Sequence, residues 1–175
     1  FFASENIKAS FYDAGHILGS SSVYMEVSSG KKTLSVGFSG DLGRKDKPIL
    51  RDPKRIPDVD YLVMESTYGD RLHELAGDVM SRLEKIVNET ASRGGKIIIP
   101  AFAVERTQDL VFYLHLLADA KRIPDVPIFV DSPMATNATA IYKIHPECYD
   151  EETKQAFTNH HKNPFGFNAL RYIES

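Results

Sequence analysis

Hydrophobic and polar positions divide this chain near residue 66 into two kinds of pattern. Before that point apolar residues alternate or cluster over short runs, Ile7–Tyr12, Val23–Val27 and Thr33–Phe38, which is the period of half-buried strands. Ser28-Ser29-Gly30-Lys31 predicts a hairpin turn between the last two runs. Pro48, Pro53 and Pro57 mark the next stretch as loop. Tyr61–Glu65 is a short apolar run ending in an acid, the form of a buried strand that delivers a polar group at its carboxyl end. The chain opens in mid-pattern, at Phe1-Phe2 and without methionine, and so reads as an internal piece of a longer protein.

After Gly69 the period lengthens. Val79, Leu83, Ile86 and Val87 fall at helical spacing, and Gly94-Gly95 ends that helix after Arg93. Lys96–Pro100 predicts a buried strand, and Glu105–Lys121 a second helix with Leu110, Val111, Leu114 and Leu117 on one face. Pro127–Asp131 predicts a strand, Thr136–Ile144 a third helix and Asp150–Thr158 one more, before an irregular tail at Asn163–Asn168. Strand and helix alternating from residue 61 onward predict an α/β fold with a parallel layer and right-handed crossovers. The boundary between the two parts falls at Thr67-Tyr68-Gly69, giving regions 1–66 and 67–175.

Composition adds limits. An apolar fraction of 42% and a charged fraction of 26% are ordinary for a soluble globular protein. No apolar run approaches the roughly 20 residues of a membrane span, so no membrane role is expected. Cys148 is the single cysteine, which excludes an internal disulfide and fits a reducing compartment; the cytoplasm is the expected location. The net charge of −3 does not mark a nucleic-acid binder. Charge is concentrated locally, however: Arg44, Lys45, Lys47, Arg51, Lys54 and Arg55 stand against only Asp46 and Asp52. Such a stretch is either a solvated basic loop or a surface that draws in a polyanion.

The candidate chemistry begins in two glycine-flanked loops, Asp13-Ala-Gly-His16-Ile-Leu-Gly-Ser20 and Phe38-Ser-Gly-Asp41-Leu-Gly-Arg44. Imidazole and carboxylate together suit zinc, and glycine lets backbone approach a crowded centre. Asp13 reads as a turn residue. Glu65 closes an apolar run, where an unpaired carboxylate is costly; it is either tied to nearby amides or placed for chemistry. Two strand-to-helix junctions follow, Pro100–Asp109 and Asp131-Ser132-Pro133-Met134, where free helix amides and the helix dipole favour anions. Arg106 is the candidate phosphate clamp of the first junction and Ser132 the candidate ligand of the second. His73, His115, His145, His160 and His161 carry no assignment.

The ordered segments around His16 and Asp41, followed by Met64-Glu65-Ser66-Thr67-Tyr68-Gly69-Asp70-Arg71, resemble the β-CASP branch of the metallo-β-lactamase superfamily. The likeness is to the bacterial and archaeal ribonuclease type, through Gly40–Arg44 and Pro48–Pro53, and it extends through the two junctions and Ile141–Glu147. It implies part of an αββα metallo-β-lactamase domain over 1–66 and part of an inserted α/β β-CASP cap over 67–175. By the same resemblance His16 matches a zinc ligand, Asp41 a carboxylate bridging two zinc ions, and Glu65 an acid supporting a histidine that protonates the leaving oxygen. The implied activity of the full-length parent is hydrolysis of single-stranded RNA by a metal-activated hydroxide. RNA would enter between the two domains, met by helix amino termini, Arg106, Ser132 and the basic loop containing Arg44. The superfamily signature His-x-His-x-Asp-His and the late β-CASP histidine motifs are absent from this sequence. The piece alone is therefore expected to bind zinc weakly or not at all and to be inactive. A non-catalytic RNA-binding or scaffold homologue is the alternative; a small-molecule thioester or ester hydrolase is disfavoured by the large cap after Glu65. Homo-oligomerisation is left open.

Overall fold

A computed structural model describes residues 1–71, 79–160, 163 and 165–173. The fold is α/β, with both antiparallel and parallel strand pairs. Residues 1–72 and 148–151 form one compact unit, and residues 73–147 and 152–175 form the other.

In the first unit, β1 (Phe2–Ser4), β2 (Ile7–Asp13), β3 (Ser21–Ser29), β4 (Lys32–Phe38) and β5 (Tyr61–Val63) lie side by side in chain order. The first four pair antiparallel, and β5 joins β4 in parallel. The register follows the apolar pattern: Phe11 faces Val23, which faces Phe38, which faces Val63, a row of apolar cross-strand neighbours. The predicted antiparallel strands are all present, β2 and β4 longer by one residue at one end and β3 by two at each end. The predicted buried strand Tyr61–Glu65 is not buried. Only Tyr61–Val63 joins the ladder, and these residues are 61%, 53% and 57% exposed because β5 is the last strand of the sheet. Beyond the sheet, residues 148–151 clasp the proline-rich loop through a Leu50–Tyr149 bridge and a 2.8 Å bond from Asp150 N–H to the Ile49 carbonyl.

The second unit packs α1 (Val79–Ser92) against α2 (Arg106–Asp119). Leu83, Val87, Leu114, Leu117 and Ile123 form its core, with Ile128 and Phe167 against them. Leu83 and Val87 of the first predicted stripe and Leu114 and Leu117 of the second pack here, while Val79 and Ile86 are exposed. β6 (Ile128–Val130) pairs in parallel with β7 (Leu170–Tyr172), and α3 (Pro133–Ile144) and α4 (Glu151–His160) complete the elements. α3 starts three residues before its predicted start, with Ser132 as cap and Pro133 in the first turn, where a missing N–H costs nothing.

Lys96–Pro100 departs from expectation. It belongs to no ladder and is exposed throughout, with Ile98 at 92%. An apolar run states what a chain can bury, while burial itself depends on a neighbouring strand that the run does not encode. Among the described residues no helix is long and apolar enough to cross a membrane.

Candidate functional site

In the first unit β2 and β4 are each antiparallel to β3, and β5 is parallel to β4. These three strands therefore point the same way, and their carboxyl ends open onto one edge of the sheet. The loops leaving that edge carry His16, Asp41 and Glu65.

Backbone contacts lock the loops together. Ser20 Oγ accepts from the amides of His16 at 3.0 Å and Ile17 at 3.2 Å, closing the first loop on itself. Gly43 N–H then donates to the Ala14 carbonyl at 2.8 Å. A methyl group on Gly43 would stand 1.6 Å from the Gly15 carbonyl oxygen, so only glycine allows this approach. On the other side a Cβ on Gly15 would meet Pro53 Cδ at 2.7 Å. The backbone leading into His16 is thus held between the Asp41 loop and the proline-rich loop.

Part of the basic run serves this grip. Lys47 Nζ donates to the His16 carbonyl at 2.9 Å, while Arg51 and Lys54 pair with the Asp13 carboxylate at 3.3 and 3.2 Å. Asp13 is therefore an ion-paired anchor. Arg55 pairs with Asp58 at 2.9 Å. Arg44 and Lys45 are exposed beside the Asp41 loop.

Glu65 ties in the third loop. Its N–H donates to Ser39 Oγ at 3.0 Å, and its carboxylate accepts from Leu42 N–H at 2.6 Å. These bonds hold the Asp41 loop at Ser39 and Leu42, before and after Asp41. The Leu42 amide, then the Thr67 hydroxyl and more weakly the nearby His16 imidazole, keep the Glu65 carboxyl below its ordinary pKa against a small cost of burial. Glu65 is suited to accepting and orienting hydrogen bonds, not to delivering a proton. The His16 ring and the Asp41 carboxylate make no hydrogen bond or ion pair among the described residues.

The donor types suit zinc, but the donor number does not complete a site, which takes roughly four ligands. Among the described residues no group of three or more His, Cys, Asp or Glu side chains is arranged to hold a metal ion.

The second unit presents Arg106 and Ser132. Arg106 is the first residue of α2 and is exposed, with no partner among the described residues. The turn before it is strained: Glu105 has φ 71° and ψ −68°, and Arg106 N–H donates back to the Val104 carbonyl at 3.0 Å, closing a γ-turn of the rare hand. Thr107 donates through both N–H and Oγ1 to the Phe102 carbonyl, at 3.2 and 2.8 Å. The first amides of α2 are thus engaged by the chain itself, and an anion there would meet the guanidinium in place of a row of free N–H groups. Ser132 Oγ accepts from Ala135 N–H at 3.2 Å and caps α3.

Sequence reasoning missed Gln108, fully buried between α2 and α3, although it stands three residues before Val111 in the phase of the apolar stripe. It also missed the anchoring by Lys47 and Gly43. Of the unassigned histidines, His115 lies against Phe167 and His145 Nδ1 is 2.7 Å from Glu147. His73, His161 and the side chain of His160 lie outside what the structure describes.

A family model described as the Beta-Casp domain matches residues 107–175. Residues 107–175 thus match the β-CASP domain, in agreement with the resemblance carried by the ordered motifs. It is 37% identical over 168 residues to "Ribonuclease TTHA0252" of Thermus thermophilus, covering 96% of this chain and 37% of the relative. It is 38% identical over 166 residues to an "RNase J-like protein" of Methanocaldococcus jannaschii, covering 93% and 38%. It is also 33% identical over 174 residues to "Transcription termination factor FttA" of Methanosarcina mazei, covering 97% and 27%. The chain therefore spans little more than a third of the length of the first two of these relatives and about a quarter of the third.

Proposed function

We propose that this chain belongs to a zinc-dependent ribonuclease that hydrolyses phosphodiester bonds of single-stranded RNA in the cytoplasm. Residues 1–66 would contribute to its metal-bearing domain and 67–175 to its β-CASP cap. The observation that carries the proposal is the pairing of rigid backbone with free side chains. Backbone bonds and a glycine approach fix the loops of His16 and Asp41, yet neither side chain makes a hydrogen bond or ion pair among the described residues. Donors held in place without internal partners suit the binding of something external. The names of the relatives, two ribonucleases and a transcription termination factor, support RNA as the substrate.

In this proposal His16 and Asp41 supply two of the zinc ligands, and further ligands come from the remainder of the full-length protein. Bound zinc would supply Lewis acidity and a hydrolytic water of lowered pKa. Glu65 holds the Asp41 loop through Leu42 N–H and keeps a carboxylate poised to orient a neighbouring donor. Arg44, Lys45 and Arg106 attract the phosphates, Arg106 as a clamp for one of them, and Ser132 is the second phosphate contact.

The test is Asp41→Ala in the full-length protein, assayed for RNA cleavage and zinc content. Asp41 is exposed and its side chain is unbonded among the described residues, so melting should change little while cleavage and one or both zinc ions are lost. Cleavage that survives chelation, or an Asp41→Ala variant with its full zinc content, would overturn the proposal. RNA binding without cleavage by the unaltered protein would replace it with a non-catalytic RNA-binding homologue.

A further inference from the structure

Gln108 lies in the first turn of α2 and is fully buried, an unusual place for a carboxamide. Its Nε2 is surrounded by acceptors from the loop before α2 and from α3. It donates to the Ala103 carbonyl at 3.1 Å, in the loop before α2, and to Thr139 Oγ1 at 2.9 Å, on α3. The Ala135 carbonyl lies 3.5 Å away. Thr139 Oγ1 in turn donates to the Ala135 carbonyl at 2.7 Å, so the polar groups form one connected set. Gln108 Oε1 is buried with no partner among the described residues. The side chain is therefore retained for its donor end, since a buried acceptor without a partner is a cost and not a gain.

This carboxamide joins the loop two residues before the strained turn at Glu105, the first turn of α2 that carries the exposed Arg106, and the first turns of α3 after Ser132. We infer that Gln108 is the positioning residue of the phosphate clamp, fixing the α2 start so that Arg106 meets substrate phosphate in one orientation. This rests on the RNA-binding role proposed for Arg106. Gln108 touches no substrate; it acts through the backbone on which Arg106 stands. An apolar residue of similar volume would fill the space and release the Ala103 and Thr139 links.

The experiment uses the full-length protein, single-stranded RNA and steady-state kinetics, with Gln108→Met, Arg106→Gln and the double variant, each with a melting curve. Gln108→Met should raise KM about tenfold with kcat within about twofold, the scale expected when a binding group is misplaced by part of an ångström. In the Arg106→Gln background the same change should move KM by less than about twofold, because the residue it positions is gone. A purely structural role would lower melting and leave KM alone, or would add its full effect in both backgrounds; either result overturns the inference. Should Gln108→Met fail to fold, Thr139→Val removes one of the same links and should give a smaller rise in KM that also vanishes with Arg106→Gln. An unchanged KM for that variant would overturn the inference. An unaltered protein that neither binds nor cleaves RNA would instead bring down the functional proposal itself and the inference with it. The two failures are therefore distinguishable.

Discussion

Gly43→Ala isolates the contact on which the arrangement of the first unit depends. The added methyl would stand 1.6 Å from the Gly15 oxygen, 2.1 Å from the Gly15 carbonyl carbon and 2.7 Å from the His16 nitrogen. All three are backbone atoms, so no side-chain rotation relieves the clash. Reaching even 3.0 Å requires the two loops to part by about 1.4 Å, the difference from 1.6 Å. That movement breaks the 2.8 Å bond from Gly43 N–H to the Ala14 carbonyl. Overpacking of this kind costs about 1–3 kcal/mol, and the lost hydrogen bond about 1 kcal/mol more. A displacement near 1 Å at a reacting centre costs on the order of 100-fold in rate. The expected result in the full-length protein is a clear drop in melting temperature together with a loss of RNA cleavage of about 100-fold. Gly30→Ala is the control. Gly30 also has positive φ, at 61°, but no atom lies within 4 Å of its missing Cβ. It should lose about 1 kcal/mol from backbone strain and keep its activity. A Gly43→Ala variant that melts and cleaves like the parent would refute the close approach of the two loops.

Arg106→Gln should weaken binding of single-stranded RNA about uniformly across sequences and reduce the slope of log K against log salt by about 0.7, measured by titration at several salt concentrations. An unchanged slope would remove Arg106 from the phosphate contacts. Asp60 provides a pH-dependent prediction: its carboxylate accepts from Ser35 N–H and Oγ, both at 2.8 Å, and these bonds hold its pKa below 3.8. A folded-state pKa below the unfolded value adds stability that is fully present above 3.8 and is lost as pH falls through the lowered folded value. Asp60→Asn should therefore flatten the acid limb of stability against pH while changing little in its shape near neutrality; an identical acid limb would contradict the Ser35 bonds.

The sequence disclosed the elements better than their surroundings. The antiparallel strands and the helix stripes at Leu83, Val87, Leu114 and Leu117 were legible because a period of two or of 3.6 residues is written locally. Tyr61–Glu65 and Lys96–Pro100 carried an equally clear apolar signal, yet 61–64 and 96–100 lie exposed, because covering a strand requires partners that its own residues cannot specify. The same division holds at the candidate site. Glycines beside His16 and Asp41 were visible as types, and their meaning, a carbonyl 1.6 Å from a missing methyl, exists only once two distant loops meet. The basic run was visible as charge. That Lys47, Arg51 and Lys54 spend that charge on the His16 loop, leaving Arg44 and Lys45 outward, required the fold.

The beginning of α2 concentrates local costs that folding alone gives no reason to keep. Glu105 occupies a strained backbone conformation, a state worth about 1–3 kcal/mol. The next residue is a cation at the positive end of a helix dipole, which is unfavourable by about 0.3–1 kcal/mol. Two residues later Gln108 leaves a buried carbonyl oxygen unpartnered among the described residues, at about 1–3 kcal/mol. A sequence chosen for stability would put a relaxed capping residue before the helix, no cation at its first position and an aliphatic residue at 108. Each departure makes sense if an anion is to be met at Arg106: the guanidinium is presented outward, the turn aims it, and the buried carboxamide fixes the turn. Local rules broken together at one exposed cation indicate a site held in place against its own preferences, which is where function is expected.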